Sequence, residues 1–223
     1  MIVRLDNELW FPDPRRGEED GLFAVGGDLS VQRLILAYQH GIFPWFPFKA
    51  EDAYLFTEDG KSEILWYCPM QRFVIFPKEI HQSHSLRTVL NKHKYRVSFD
   101  AAFDDVIDNC SKLRAECQGA WLGGELLEAY KKLHQLNYAH SVEVWNEDDK
   151  LCGGLYGVMV KSVFCGESMF SLEPGTSKIA LVYLSKLLQE FDTPTIIDCQ
   201  FSTPHLKSMG GRYISYDVYM EFN

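Results

Sequence analysis

No CxxC pair and no cluster of histidines occurs in the 223 residues, so neither a zinc site nor a disulfide framework is indicated and no metal is expected. The six cysteines, at 68, 110, 117, 152, 165 and 199, are expected to be reduced and mostly buried, with Cys110 and Cys117 at helical spacing as core residues. Long apolar runs are missing too: none approaches the roughly 18 residues of a membrane-spanning helix, so no membrane segment is expected. The first residues carry Asp6, Glu8 and Asp13 instead of a basic stretch followed by an apolar run. That is not a secretory leader, and the cytoplasm is the expected compartment. Positive charge is also short. At a formal net charge of −9, phosphate repulsion opposes any nonspecific coating of nucleic acid, so a nucleic-acid contact must be local.

Hydrophobic residues make up 46% and aromatics 14% of the chain, enough for a real core in a small domain followed by a larger one. Dense turn signals (Pro12, Pro14, Gly17, Gly21, Gly26-Gly27) lead to a short helix capped by Asp28 or Ser30 and stopped at Gly41. Residues 49 to 63 are acid-rich without a period, which places a domain boundary near residue 65: a small α/β unit over 1–65, then a second unit over 66–223. In the second, strands are expected over 72–76 and 95–99, flanking a helix over 85–93, then helices over 101–114 and 124–136. Strands over 140–145, 151–158 and 162–166 follow, then a helix over 177–190, a strand over 195–200, a short helix near 204–209 and a last strand over 213–219. This α+β order is that of the acyltransferase fold of the GCN5-related N-acetyltransferases, which alone fixes no substrate.

One segment runs against the overall charge. From Met70 to Ser98 stand Arg72, Lys78, Arg87, Lys92, Lys94 and Arg96 against the single acid Glu79, with His81, His84 and His93 in addition. A solvated helix face with basic strand ends explains this as well as a phosphate-binding patch does.

Several segments in order resemble the leucyl/phenylalanyl-tRNA-protein transferases. In the first unit these are FPDP (11–14), GLFAVGGDLSVQRLILAYQHGIFPWF (21–46) and WYCP (66–69). The second has GAWLGGELLEAYKKLHQLNYAHSVEVW (119–145), GGLYGV (153–158), FCGESMFS (164–171) and IIDCQ (196–200). The resemblance implies that the α-amine of an acceptor protein starting with Arg or Lys attacks the ester of Leu-tRNA or Phe-tRNA, and Met-tRNA less well. A peptide bond forms, tRNA leaves, and the product is marked for N-end-rule degradation. The ester is already activated, so no cofactor is expected. A monomer is expected as well.

The chemistry needs a neutral amine, a stabilised oxyanion and a fixed approach. Asp198 and Gln200 stand two apart on the expected strand and so share a face. The resemblance puts them at the acceptor amine, where a carboxylate can hold an ammonium and Gln can only orient it. Glu167 follows an apolar strand, where a carboxylate is costly unless paired; the resemblance puts it beside the donor's amine. Trp45 and Trp121 would enclose the terminal adenine of the tRNA, a sequence-tolerant stacking contact. Leu155, Phe164, Leu181, Leu184, Leu188 and Ile197 would form the aminoacyl side-chain pocket, and Arg72, Lys92, Lys94 and Arg96 a tRNA-backbone patch. Several pocket positions are Leu where better-known members carry Met or Phe, which leaves the pocket's size open. The chain also ends soon after Tyr219, so no contribution from a longer tail is expected.

Two rivals remain. An acetyl-CoA-dependent N-acetyltransferase of the same fold would need a Q/R-x-x-G-x-G/A phosphate cradle at a helix start, and the stretch Leu172 to Lys178 has one glycine and lacks that spacing. A noncatalytic RNA-binding protein would leave Glu167, Asp198 and Gln200 unexplained.

Overall fold

The computed structural model describes residues 2–45, 64–118 and 124–223. In the first unit, β1 (Val3–Leu5), β2 (Leu22–Gly26), β3 (Phe43–Trp45) and β4 (Leu65–Tyr67) form a sheet in the order β1-β2-β4-β3, packed by α1 (Val31–Gln39). Ser30 is the cap: its hydroxyl accepts the Arg33 amide, satisfying one of the amides left unpaired at a helix start. The fully buried Arg33 guanidinium donates to the backbone carbonyls of Asp6 and Glu8 and pairs with Asp28, so one side chain ties the N-terminal segment to α1.

The second unit holds β5 (Gln71–Ile75), α2 (His84–Asn91), β6 (Arg96–Phe99), α3 (Phe103–Gln118), α4 (Gly124–Gln135), β7 (Ala139–Trp145), β8 (Leu151–Val160), β9 (Val163–Ser171), α5 (Thr176–Leu188), β10 (Ile196–Asp198), α6 (Pro204–Ser208), β11 (Arg212–Ser215) and α7 (Tyr216–Met220). Its seven strands run in the order β11-β5-β10-β9-β8-β7-β6. Alternation splits the core in two. Tyr156, Val158 and Phe170 pack with α3 and α4, while Leu155, Phe164 and Ile197 pack with α5 on the opposite face. Gly153 lets α5 sit close on β8, because a Cβ there would collide with Thr176.

β9 and β10 pair in parallel, bridged by α5, inside an otherwise antiparallel sheet. β9 also carries a bulge: Tyr156 opposes Ser168 and the next residue, Gly157, opposes Gly166, so Glu167 is extra. A bulge re-aims side chains, and this one falls in the segment read as chemistry.

Several expected elements differ, three of them around the site. The strand expected over 195–200 stops at Asp198, because Gln200 adopts a left-handed backbone (φ 55) and the Phe201 amide bonds the Cys199 carbonyl at 2.6 Å across a γ-turn. The strand expected over 213–219 ends at Ser215, whose hydroxyl accepts the Val218 amide and starts α7. The strand expected to end at Gly166 runs on to Ser171, since β8 pairs with it past the bulge.

Candidate active site

Where the two units meet, a cavity of about 620 Å³ opens between Phe43, Pro44 and Trp45 of the first and Leu155, Phe164, Glu167, Leu181, Leu184, Ile197 and Gln200 of the second. The volume suits a small-molecule group with a polar rim. Five of the six expected pocket residues line it: Leu155, Phe164, Leu181, Leu184 and Ile197. Leu188 does not. One turn beyond Leu184 on α5, it lines a separate recess of about 160 Å³ with Phe99 and Phe191. The wall between the two spaces is Phe164 and Leu184, which line both. Met169 also lines the cavity and was missed by sequence reasoning.

Glu167 is held from both sides. Tyr38 of α1 donates to Oε1 at 2.8 Å, Tyr130 of α4 donates to Oε2 at 2.7 Å, and the two phenol oxygens lie 2.8 Å apart. Burial, followed by the Glu167 charge, pushes both phenols well above the usual tyrosine range, so they keep their protons and donate. This answers the cost of a carboxylate beside a core: two hydrogen bonds replace its water. Tyr38 and Tyr130 belong to the site too, although in the sequence they read as the apolar stripes of two amphipathic helices.

Trp45 lies in a group of aromatics at the cavity mouth, 4.8 Å from Phe201 at 78° and 6.0 Å from Tyr67. Trp121 falls outside the described residues.

Asp198 is fully buried and does not line the cavity. Arg72 Nε donates to both of its oxygens at 2.9 Å and Arg72 Nη2 lies 2.8 Å from Oδ2. The Tyr219 hydroxyl adds a bond at 3.1 Å and the Gln200 amide one at 2.8 Å. The shared face expected for Asp198 and Gln200 is therefore absent: the strand ends between them, sending the acid inward and Gln200 to the cavity wall. Gln200 is a non-glycine residue in a left-handed turn, a strained conformation that surrounding structure must impose.

Arg72 corrects another expectation. It is 1% exposed, so it cannot belong to a surface patch for tRNA phosphates, and its basicity in the sequence reflects the Asp198 pair. Burial alone would pull the guanidinium down, but Asp198 beside it holds it well above its usual value. Lys92, Lys94 and Arg96 are exposed and lie around the far-edge strand β6. Lys94 stands 3.9 Å from Glu147 and Arg96 2.9 Å from Asp149, both acids of the β7–β8 loop. The segment 70–98 is thus one run in sequence and two places in the fold.

His205, on α6 beside Gln200, also lines the cavity, and burial followed by the Lys178 charge lowers its pKa. It was missed because a lone histidine in a short helix carries no pattern. Among the described residues, no group of three or more His, Cys, Asp or Glu could hold a metal, and no helix is long and apolar enough to cross a membrane.

The comparisons agree over almost the whole chain. Residues 74–222 match the family model for leucyl/phenylalanyl-tRNA protein transferase, and residues 27–70 match that for its N-terminal domain. Curated relatives named leucyl/phenylalanyl-tRNA–protein transferase include one from Syntrophobacter fumaroxidans, 49% identical over 96% of this chain and 86% of its own. Another, from Flavobacterium psychrophilum, is 45% identical over 98% and 97%, and one from Maridesulfovibrio salexigens is 43% identical over 99% and 87%. A bipartite chain with matches to both family models, and with identity of this order from end to end, belongs to the leucyl/phenylalanyl-tRNA protein transferase family.

Proposed function

We propose that this chain moves leucine or phenylalanine, and methionine less well, from aminoacyl-tRNA to the N-terminal Arg or Lys of an acceptor protein, marking it for N-end-rule degradation in the cytoplasm as a monomer. The observation that carries this reading is the cavity itself: an apolar end, a carboxylate fixed by two phenols, and an aromatic mouth, all within one space. In it the donor's side chain enters among Leu155, Phe164, Leu181, Leu184 and Ile197, and its ammonium faces Glu167. The terminal adenine stacks at Trp45. The acceptor's neutral amine approaches at Gln200 and attacks the ester carbonyl. A C–N bond forms, the C–O bond to the ribose breaks, and the proton lost by nitrogen ends on the ribose oxygen of the released tRNA. Tight geometric control can supply much of such a rate, since holding two reactants in line removes a large entropic cost.

The second unit is read as a variant of the GCN5-related N-acetyltransferase fold, supported by the element order and by the parallel β9/β10 pair bridged by α5. A direct test supplies labelled Leu-tRNA and an Arg-starting peptide in one reaction and labelled acetyl-CoA with the same peptide in another. Leucine should appear on the peptide and acetyl should not; acetylation alone would overturn the reading.

A further inference from the structure

Asp198 is the natural suspect for taking the amine's proton, yet its surroundings argue otherwise. Its carboxylate has no exposed surface, and its two oxygens receive Arg72, the Tyr219 hydroxyl and the Gln200 amide. No direction remains from which a substrate amine could reach it. Its Oδ1, however, accepts the Gln200 backbone amide and so fixes the second residue past the strand, and that residue lines the cavity in a turn it would not adopt unaided. Arg72 is enclosed in turn: its guanidinium carbon sits 4.8 Å from the ring centres of both Phe43 and Tyr219, so it packs against β3 of the first unit and α7 of the second. The chain of contact runs from Arg72 to Asp198 to the Gln200 turn to the cavity.

We infer that Arg72 is a positioning residue for the transfer: it holds Asp198 as a fixed anion, and Asp198 holds the Gln200 turn against the cavity without exchanging a proton with the substrate. The inference rests on the reading that Gln200 meets the acceptor amine. On this account Asp198 and Arg72 act as one unit, and the charge of the carboxylate is spent on the guanidinium instead of on the acceptor.

The test is single-turnover transfer of leucine from Leu-tRNA to an Arg-starting peptide, over a range of peptide concentration and pH. The proteins are wild type, Asp198→Asn, Arg72→Lys, the double variant, Tyr219→Phe and Gln200→Ala, each assayed well below its measured melting temperature. Asparagine keeps an oxygen for the Gln200 amide but loses the charge. Asp198→Asn and Arg72→Lys should each lower the maximal rate about tenfold or more, with the peptide concentration at half-maximal rate and the tRNA affinity changed less than about threefold. The pH profile should keep its wild-type shape, and the double variant should be no slower than the slower single one, because the two residues form one unit. Tyr219→Phe removes one hydrogen bond from Asp198 and leaves the ion pair; it should fold even if the charge variants do not, and slow transfer a few-fold. Loss of the acid limb of the pH profile in Asp198→Asn would make Asp198 a proton acceptor and overturn the inference, as would multiplicative losses in the double variant or full activity in Tyr219→Phe. Gln200→Ala separates the two levels. If it alone is defective, Gln200 keeps its place and the role of Arg72 falls; if it is fully active, the reading of Gln200 itself falls.

Discussion

A leucine on α5 sets the size of the cavity, and its neighbour one turn on does not. Leu184 lines the 620 Å³ space, whereas Leu188 faces the 160 Å³ recess behind the Phe164–Leu184 wall. Leu184→Phe should therefore narrow the cavity and cut phenylalanine transfer about tenfold relative to leucine, inside the ~1–3 kcal/mol that an apolar pocket can discriminate. Leu188→Phe should leave the Phe-to-Leu ratio near wild type. Single-turnover transfer from Leu-tRNA and Phe-tRNA to one Arg-starting peptide gives the ratio directly, and a larger shift for Leu188→Phe would place the donor in the other space. Five of the six residues that the resemblance groups as a pocket line this one cavity. Leu188 lines the other space, because 3.6-residue spacing puts Leu181, Leu184 and Leu188 on one face and cannot tell where a wall crosses that face.

The elements are held by ion pairs of very different worth, and the sequence shows the residues of each pair without showing the pair. Arg72 on β5 and Asp198 on β10 meet in the interior 126 residues apart in sequence. Removing one partner of a buried pair leaves the other charge unpaired, a loss of about 3–5 kcal/mol. Asp198→Ala should therefore lower the melting temperature by roughly 10 °C in a chain of this size, and thermal unfolding followed by circular dichroism would reveal a smaller change. Loss of transfer in that variant would then report stability as much as chemistry. At the other edge of the sheet, His140 of β7 lies 2.8 Å from Asp100, which follows β6. The hydrogen bond to Asp100 raises the His140 pKa above its ordinary 6.5, against a smaller pull from burial. Burial would raise Asp100, but His140 and the Ser141 amide hold it below its ordinary 3.8. The sign follows for each partner. A raised His stabilises fully below its unfolded value and loses that stability as pH rises through the folded one; a lowered Asp stabilises above its unfolded value and loses it as pH falls. The pair is thus strongest between about pH 4 and 6.5. Both side chains are about a third exposed, so the effect stays near or below ~1 kcal/mol. His140→Gln should melt a few degrees lower than wild type at pH 5.5 and nearly together with it at pH 8.5; a constant gap across that range would assign the loss to packing.

Across the whole molecule, the question is how a chain with a net charge of −9 holds an RNA at all. Folding breaks up the basic run that suggested an answer, taking Arg72 inside and leaving Lys92, Lys94 and Arg96 around β6. Four strand spacings separate β6 from β10 beside the cavity, roughly 19 Å at the usual ~4.8 Å per strand. A nucleic acid with its end in the cavity could therefore reach this edge with its backbone. The acids Glu147 and Asp149 that now face Lys94 and Arg96 are 73% and 78% exposed, and exposed pairs are worth about 0–1 kcal/mol, so phosphates could replace them at little cost. Neutralising Lys92, Lys94 and Arg96 together removes up to three phosphate contacts, each contributing about −0.7 to −0.9 to the slope of log K against log salt concentration. The slope for Leu-tRNA binding should become shallower by up to ~2 units, while the leucine-to-phenylalanine ratio of transfer stays fixed because the cavity is untouched. Filter binding over a salt series measures the first and the transfer assay the second. An unchanged slope would move the backbone path to the recess of about 420 Å³ lined by His81, Lys178 and Lys207, on the side of α5 and α6, and neutralising those two lysines would then have to produce the missing change.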